Sequence, residues 1–176
     1  MQVREIMTKD VSSCSPGTNA AAAGEKMWNK SCGSLPVIER GGRVIGIVTD
    51  RDLFIALATQ NRRASDLRVG EVMRREPSVC RPGDDVRQAV NIMAKQRVHR
   101  LPVVDETGAL QGILSMDDVI LRTDAAFNDD AVWALEAIVG HRSRNAQDRL
   151  ASLLFLGGGV FGACKASALF IRFVTP

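Results

Sequence analysis

Gly46-Ile47-Val48-Thr49-Asp50-Arg51-Asp52 returns as Gly112-Ile113-Leu114-Ser115-Met116-Asp117-Asp118, 66 residues further on. The same shift, with no gap, carries Leu35-Pro36-Val37-Ile38-Glu39 onto Leu101-Pro102-Val103-Val104-Asp105. Working outward, Glu5 and Met7 fall on Glu71 and Met73, and Cys14, Pro16 and Gly17 fall on Cys80, Pro82 and Gly83. A repeat in constant register means one structural unit made twice, and it decides the fold.

Within each copy the patterns follow one order. Short strands around Ser12 to Cys14 and Ser78 to Cys80 are predicted to stop at Pro-Gly. A helix follows: Val86, Ala89, Val90 and Met93 share one face at i, i+3, i+4 and i+7, as do Ala20, Ala23, Gly24 and Met27. Thr18 and Asp84 are the expected N-caps. Two strands come next, Leu35 to Glu39 and Val44 to Val48, joined by Arg40-Gly41-Gly42-Arg43. Their second-copy counterparts, Val103-Val104 and Leu110 to Leu114, are joined through Glu106-Thr107-Gly108. A short helix, Asp50 to Ala58 or Met116 to Leu121, closes each unit. A unit of about 60 residues is marginal alone, so the two are expected to pack through their sheets. The predicted class is α/β (α+β): two β-α-β-β-α units as a pseudo-twofold pair, with a C-terminal helical and hydrophobic tail. The expected boundaries are 1–60 for the first unit, 61–68 for a linker, 69–122 for the second unit and 123–176 for the tail.

The composition is ordinary for a globular chain of 176 residues, 45% hydrophobic and 24% charged, with a net charge of +3. Arg62, Arg63, Arg68, Arg74, Arg75 and Arg81 make the middle basic. That stretch reads as a solvated linker and turn surface, with an anion or nucleic-acid patch as the alternative. No aromatics interleave with it as a base-stacking surface requires. The four cysteines, Cys14, Cys32, Cys80 and Cys164, are far apart and form no C-x-x-C, so zinc is not expected. Met1 to Asp10 does not read as a signal peptide. Reduced thiols and a cytoplasmic location are the expectation.

The chemistry-bearing residues lie where the last strand of each unit enters its last helix, G-h-h-[ST]-x-x-D. A helix start offers unpaired N–H groups and partial positive charge to a phosphate, and a carboxylate three residues on can accept from two ribose hydroxyls. The same spacing is also that of a capping box, in which both side chains satisfy their own helix. Catalysis is not expected. There is no Gly-rich phosphate loop with Lys, no H-E-x-x-H and no Ser, His and Asp set, His99 and His141 being the only imidazoles.

Met7, Pro36-Val37 and Gly46 to Asp52, repeated as Met73, Pro102-Val103 and Gly112 to Asp118, resemble the cystathionine β-synthase (CBS) domain, here as the tandem pair called a Bateman module. The resemblance covers residues 1 to about 122 and is carried by the combination of motifs in order, twice. It implies a pseudo-twofold disc with two clefts, each able to hold AMP, ADP, ATP or S-adenosylmethionine, and no obligatory cofactor. Carried over, Thr49 and Ser115 would approach phosphate, and Asp52 and Asp118 would hold ribose. Val11 with Pro36, and Pro77 with Pro102, would border adenine. Arg51 and Arg100 are the candidate phosphate partners by charge and position. The second copy has Val98-His99-Arg100-Leu101 where the first has Cys32-Gly33-Ser34-Leu35, which predicts unequal sites. The expected partners are an adenine nucleotide, a second copy of the chain in a homodimer, and a regulated enzyme or transporter, with neither nucleic acid nor membrane.

Beyond Arg122 the repeat ends. Ala125 to Gly140 reads as an amphipathic helix stopped by Gly140. Leu150 to Cys164 is uncharged but broken by Gly157, Gly158, Gly159 and Gly162, a poor membrane span that reads better as a buried or self-associating tail.

Overall fold

The computed structural model describes residues 1–123 and 131–139; the expectations for Ala125 to Asp130, for Gly140 and for Leu150 to Cys164 lie outside them. In chain order the elements are α1 (Val3–Ile6), α2 (Ala20–Asn29), β1 (Ser34–Ile38), β2 (Val44–Thr49), α3 (Asp50–Gln60), α4 (Val69–Val72), β3 (Arg74–Arg75), α5 (Val86–Gln96), β4 (Arg100–Val104), β5 (Leu110–Ser115) and α6 (Met116–Arg122). A further helix, α7, spans 131–139. The expected α+β pair is present. Its detail differs from expectation: Ser12 to Cys14 and Ser78 to Cys80 form no strand, only Cys14 and Cys80 making single parallel bridges, to Val37 and Val103, and α2 and α5 are capped by Asn19 and Asp85 rather than by Thr18 and Asp84.

The hairpins are near copies. β1 and β2 are antiparallel with Pro36 opposite Ile47, and β4 and β5 with Pro102 opposite Ile113; both bulge at the same register, between Val37 and Ile38 and between Val103 and Val104. Gly41, Gly42 and Gly108 take positive φ in the turns, a conformation that costs glycine nothing. The two turns touch: Val44 N–H donates to Gly108 O at 3.0 Å and Leu110 N–H to Gly42 O at 3.1 Å. Each bond is the 66-residue image of the other, as a twofold relation demands.

The leading segment of each half crosses to the other. Arg74 and Arg75 pair with Ile47 and Gly46 as the third strand of the first sheet, and Thr8 pairs with Ile113. Helix α1 is held from the second half by Val3 N–H to Asp84 O and Arg4 N–H to Pro82 O. Helix α4 is held from the first by Val69 N–H to Thr18 O and Gly70 N–H to Pro16 O, all at 2.9 Å. The cores follow the crossing. Val3, Ile6 and Met7 are buried with Val90, Met93, Leu101 and Leu114, whereas Leu67, Val69 and Met73 are buried with Met27, Leu35 and Val48. Since a buried Leu or Val stabilises by about 1.5–3 kcal/mol, each core depends on side chains lent by the other half.

Gly46 and Gly112 make the crossing possible. A Cβ on Gly46 would lie 2.9 Å from Arg74 O, and one on Gly112 would lie 2.8 Å from Thr8 O, with Met73 and Met7 sulfur atoms equally close. These glycines open the motif because a strand from the other half passes over them. Between the halves, Arg62 Nη1 donates to Glu71 Oε2 at 2.6 Å and Arg68 N–H to Glu71 Oε1 at 2.8 Å, which holds the Glu71 carboxyl below its ordinary range, chiefly through the Arg62 bond.

Candidate functional site

Both motifs form closed capping boxes. Thr49 Oγ1 accepts from Asp52 N–H at 3.1 Å, and Asp52 Oδ2 accepts from the Thr49 N–H at 3.1 Å and its hydroxyl at 2.7 Å. Ser115 Oγ accepts from Asp118 N–H at 3.1 Å, while Asp118 Oδ2 accepts from the Ser115 N–H at 2.9 Å and from its hydroxyl. The helix-capping use of the motif is therefore realised in each half, at about 0.5–2 kcal/mol per cap.

Capping engages one carboxylate oxygen and leaves the other facing the crossing segment. Asp52 Oδ1 lies 3.8 Å from Arg74 Nη2. Asp118 Oδ1 accepts from Thr8 Oγ1 at 3.3 Å and lies 3.6 Å from Arg122 Nη2. Thr8 and Arg74 are register partners, so each half probes the other's carboxylate with the same backbone position and a different side chain. The Asp52 site is the more open: its side chain is 16% exposed against 10% for Asp118, and its partner Arg74 is largely in solvent, where an ion pair contributes about 0.2–1 kcal/mol.

Strand alternation sorts the remaining candidates. Ser34, Pro36, Ile47 and Thr49 share one face of the first hairpin, on which Ser34 and Pro36 are buried and Ile47 and Thr49 partly exposed, and Leu35, Val37 and Val48 share the fully buried opposite face. In the second, Pro102 lies on the face of Ser115, and Arg100 stands directly across from Ser115, where the first half has the buried Ser34 opposite Thr49. The structure thus brings Thr49, Asp52 and Pro36 together, and Ser115, Asp118, Pro102 and Arg100. Arg51 is exposed in the first turn of α3, and its N–H donates to Asp50 Oδ1 at 2.7 Å. Val11 and Pro77 are half-buried on the chain leading to the Cys14 and Cys80 bridges, and no described hydrogen bond joins either to the capped carboxylates. Thr8, Arg74 and Arg122 escape a reading of the sequence. The register offers a hint in the two residues that follow Met7 and Met73, but their significance needs the crossing. Among the described residues no helix is long and apolar enough to cross a membrane.

The family model of the CBS domain matches residues 3–59 and again 69–123. The CBS domain-containing protein YhcV of Bacillus subtilis is 32% identical over 136 residues, covering 77% of this chain and 94% of that protein. An uncharacterised protein of Methanopyrus kandleri is 30% identical over 120 residues, 68% of this chain and 61% of its own length. A homoserine O-acetyltransferase of Methanohalophilus mahii is 32% identical over 119 residues, which is 24% of its length; the chain spans only part of such relatives. Among solved structures, CBSX2 in complex with AMP, a protein of Arabidopsis thaliana, superposes with a TM-score of 0.59 at 28% identity over 68% of this chain and 92% of that one. The CBS domain pair of protein MJ0100, in complex with 5′-methylthioadenosine and S-adenosyl-L-methionine, gives 0.63 at 22% identity over 68% and 93%, a likeness of fold.

Proposed function

The chain belongs to the CBS domain family and carries the domain twice, and on that premise we propose that it is a non-catalytic regulatory module. Its ligand in this reading is an adenine nucleotide, AMP, ADP or ATP, or S-adenosylmethionine, and the bound state passes to a second copy of the chain or to a regulated enzyme or transporter. The observation that carries the reading is the second carboxylate oxygen. In both halves the motif Asp caps its helix with Oδ2 and keeps Oδ1 for the segment arriving from the other half. Complexes of related domain pairs with AMP and with S-adenosylmethionine support the ligand class.

In this account the ribose hydroxyls displace Arg74 from Asp52, or Thr8 and Arg122 from Asp118. Thr49 and Ser115 stand at the helix starts where a phosphate gains from the backbone dipoles, Arg51 and Arg100 add charge, and Pro36 with Val11 and Pro102 with Pro77 border the base. Because Arg74 and Thr8 sit on the crossing segments, a ligand at either carboxylate acts on the joint between the halves. It moves that joint by its differential affinity for the two arrangements.

A thermal-shift scan of the full chain with AMP, ADP, ATP and S-adenosylmethionine tests the reading. A ligand held at 100 times its dissociation constant stabilises by about 2.7 kcal/mol, and the response is expected to vanish when Asp52 and Asp118 are both replaced by Ala. A flat response to all four ligands overturns it.

A further inference from the structure

Asp118 has no acceptor capacity to spare. A carboxylate offers about four lone-pair directions, and each of its oxygens meets two donors. Oδ2 takes the N–H and the hydroxyl of Ser115. Oδ1 takes the Thr8 hydroxyl at 3.3 Å and faces Arg122 Nη2 at 3.6 Å. A ligand hydroxyl that reaches this carboxylate while the cap stays closed therefore has to remove Thr8 and Arg122 from Oδ1.

Of the two, Arg122 carries a second tie. Its Nη1 donates to Ile6 O at 2.9 Å, so one planar guanidinium joins the motif carboxylate to the end of the crossing helix α1, and such a fork orients both acceptors at once. Its register partner in the first half is Ala56, a buried residue without a cation, so the joint exists once. Arg122 is also the last residue of α6, with Thr123 extended as its C-cap. Helix α3 runs on to Gln60, four residues past the equivalent of Arg122. The second copy's closing helix thus ends at the arginine, and the chain continues to α7.

Helix α7 packs on both sides of this joint. Ala131, Ala134 and Ile138 share one face of it, are each no more than 3% exposed, and are buried in one cluster with Ile6 and Met7 of the crossing segment and Met116 and Val119 of α6. The register-related surface of the first half, between α2 and α3, is an open groove lined by Met27, Trp28 and Leu53. Helix α7 lies beyond the residues matched by the family model, so whatever acts on it belongs to this chain and not to the repeated domain.

We propose that Arg122 is a latch through which a ligand in the second site, and not in the first, controls the packing of α7. In the ligand-free chain the guanidinium ties Asp118 to Ile6 O and holds α6 and the crossing segment at the spacing that the inner face of α7 fills. A ligand hydroxyl on Oδ1 expels the guanidinium, the tie to Ile6 is lost, and α7 loosens from its cluster. A ligand at Asp52 displaces Arg74, which has no part in that joint, and leaves α7 in place. The trigger rests on the ligand reading above, whereas the latch itself is a property of the ligand-free chain.

Hydrogen–deuterium exchange of the full chain, read on peptides within 131–139, tests the latch. Arg122→Gln without ligand is expected to raise exchange there about two- to fivefold, the scale of one partly exposed ion pair, with exchange over α2 unchanged. In the Asp52→Ala chain, saturating AMP is expected to produce a rise of the same size, and in Arg122→Gln AMP is expected to add nothing further. Arg122→Lys, which keeps the charge but lacks the fork that spans both acceptors, is expected to behave as Arg122→Gln does. Calorimetric titration of the Arg122→Gln chain is expected to show AMP bound about two- to fivefold more tightly at the second site and unchanged at the first. A residue that only supported the fold, or that gripped the ligand, would give the opposite sign. Exchange over 131–139 that is identical in the ligand-free Arg122→Gln and unaltered chains, or an AMP response there that survives the substitution, overturns the proposal. A chain that takes up AMP at neither site sinks the ligand reading, and the ligand-free comparison then decides the latch by itself.

Discussion

The two halves share most of their backbone bonding and differ in the side chains set upon it. Both carry the capping box, the bulge, the parallel bridge and the crossing segment at identical registers. Yet Thr8 stands where the other half has Arg74, Ser34 where it has Arg100, and an open groove where it has α7. Duplication thus fixed a frame whose halves hold each other's cores, and the sites placed on that frame became free to differ in charge and access. A pair of identical beads on a string would show neither the reciprocal cores nor the reciprocal carboxylate contacts.

The strongest way to break the comparison is to obstruct the crossing. Gly46→Ala and Gly112→Ala each place a methyl against backbone of the other half, and each is expected to cost about 1–3 kcal/mol in chemical denaturation, with one transition retained because the cores are interleaved. Gly24→Ala in α2 meets nothing within 4 Å and is expected to stabilise by about 0.4–1 kcal/mol. A loss at only one of the two motif glycines, or a second transition, would show that the halves are not locked reciprocally.

A smaller effect sharpens the comparison at Cys14 and Cys80. Burial pushes the Cys14 thiol up to about 11, against a pull downward from Lys26, and the Cys80 thiol up to about 12, with Asp84 adding to the rise. The folded chain keeps both thiols neutral, whereas the unfolded chain ionises them near the ordinary 9.0. Their contribution to stability is therefore complete below pH 9 and declines as pH rises from there towards 11 to 12. Peptide mapping after alkylation at pH 8 should find Cys32, which is half-buried, modified before Cys14 and Cys80. Equal rates at all three would contradict the burial.

Much of this was legible in the sequence, and the gaps have physical reasons. The constant register gave both hairpins, all four long or closing helices of the pair, and the Thr49–Asp52 and Ser115–Asp118 pairs. It was silent on the crossing because Val3–Ile6 and Val69–Val72 are themselves copies, and either fits either core. Thr18 and Asp84 are not the helix caps. Thr18 Oγ1 accepts from Ser15 N–H and Asp84 Oδ2 from Arg81 N–H, closing the Pro-Gly turns, and the next residues, Asn19 and Asp85, cap α2 and α5. Ser12 to Cys14 has strand composition, but one bridge satisfies it. Thr8 and Arg74 could not be read as site residues because nothing local in the sequence says that a segment will reach the opposite motif.

Isothermal titration of AMP into the full chain, the Asp52→Ala variant and the Asp118→Ala variant tests the central claim most directly. The account predicts two unequal sites in the unaltered chain, the tighter at the more open Asp52, with each substitution removing one site and leaving the other. No heat with any of the three, two identical independent sites, or isotherms unchanged by both substitutions would contradict it.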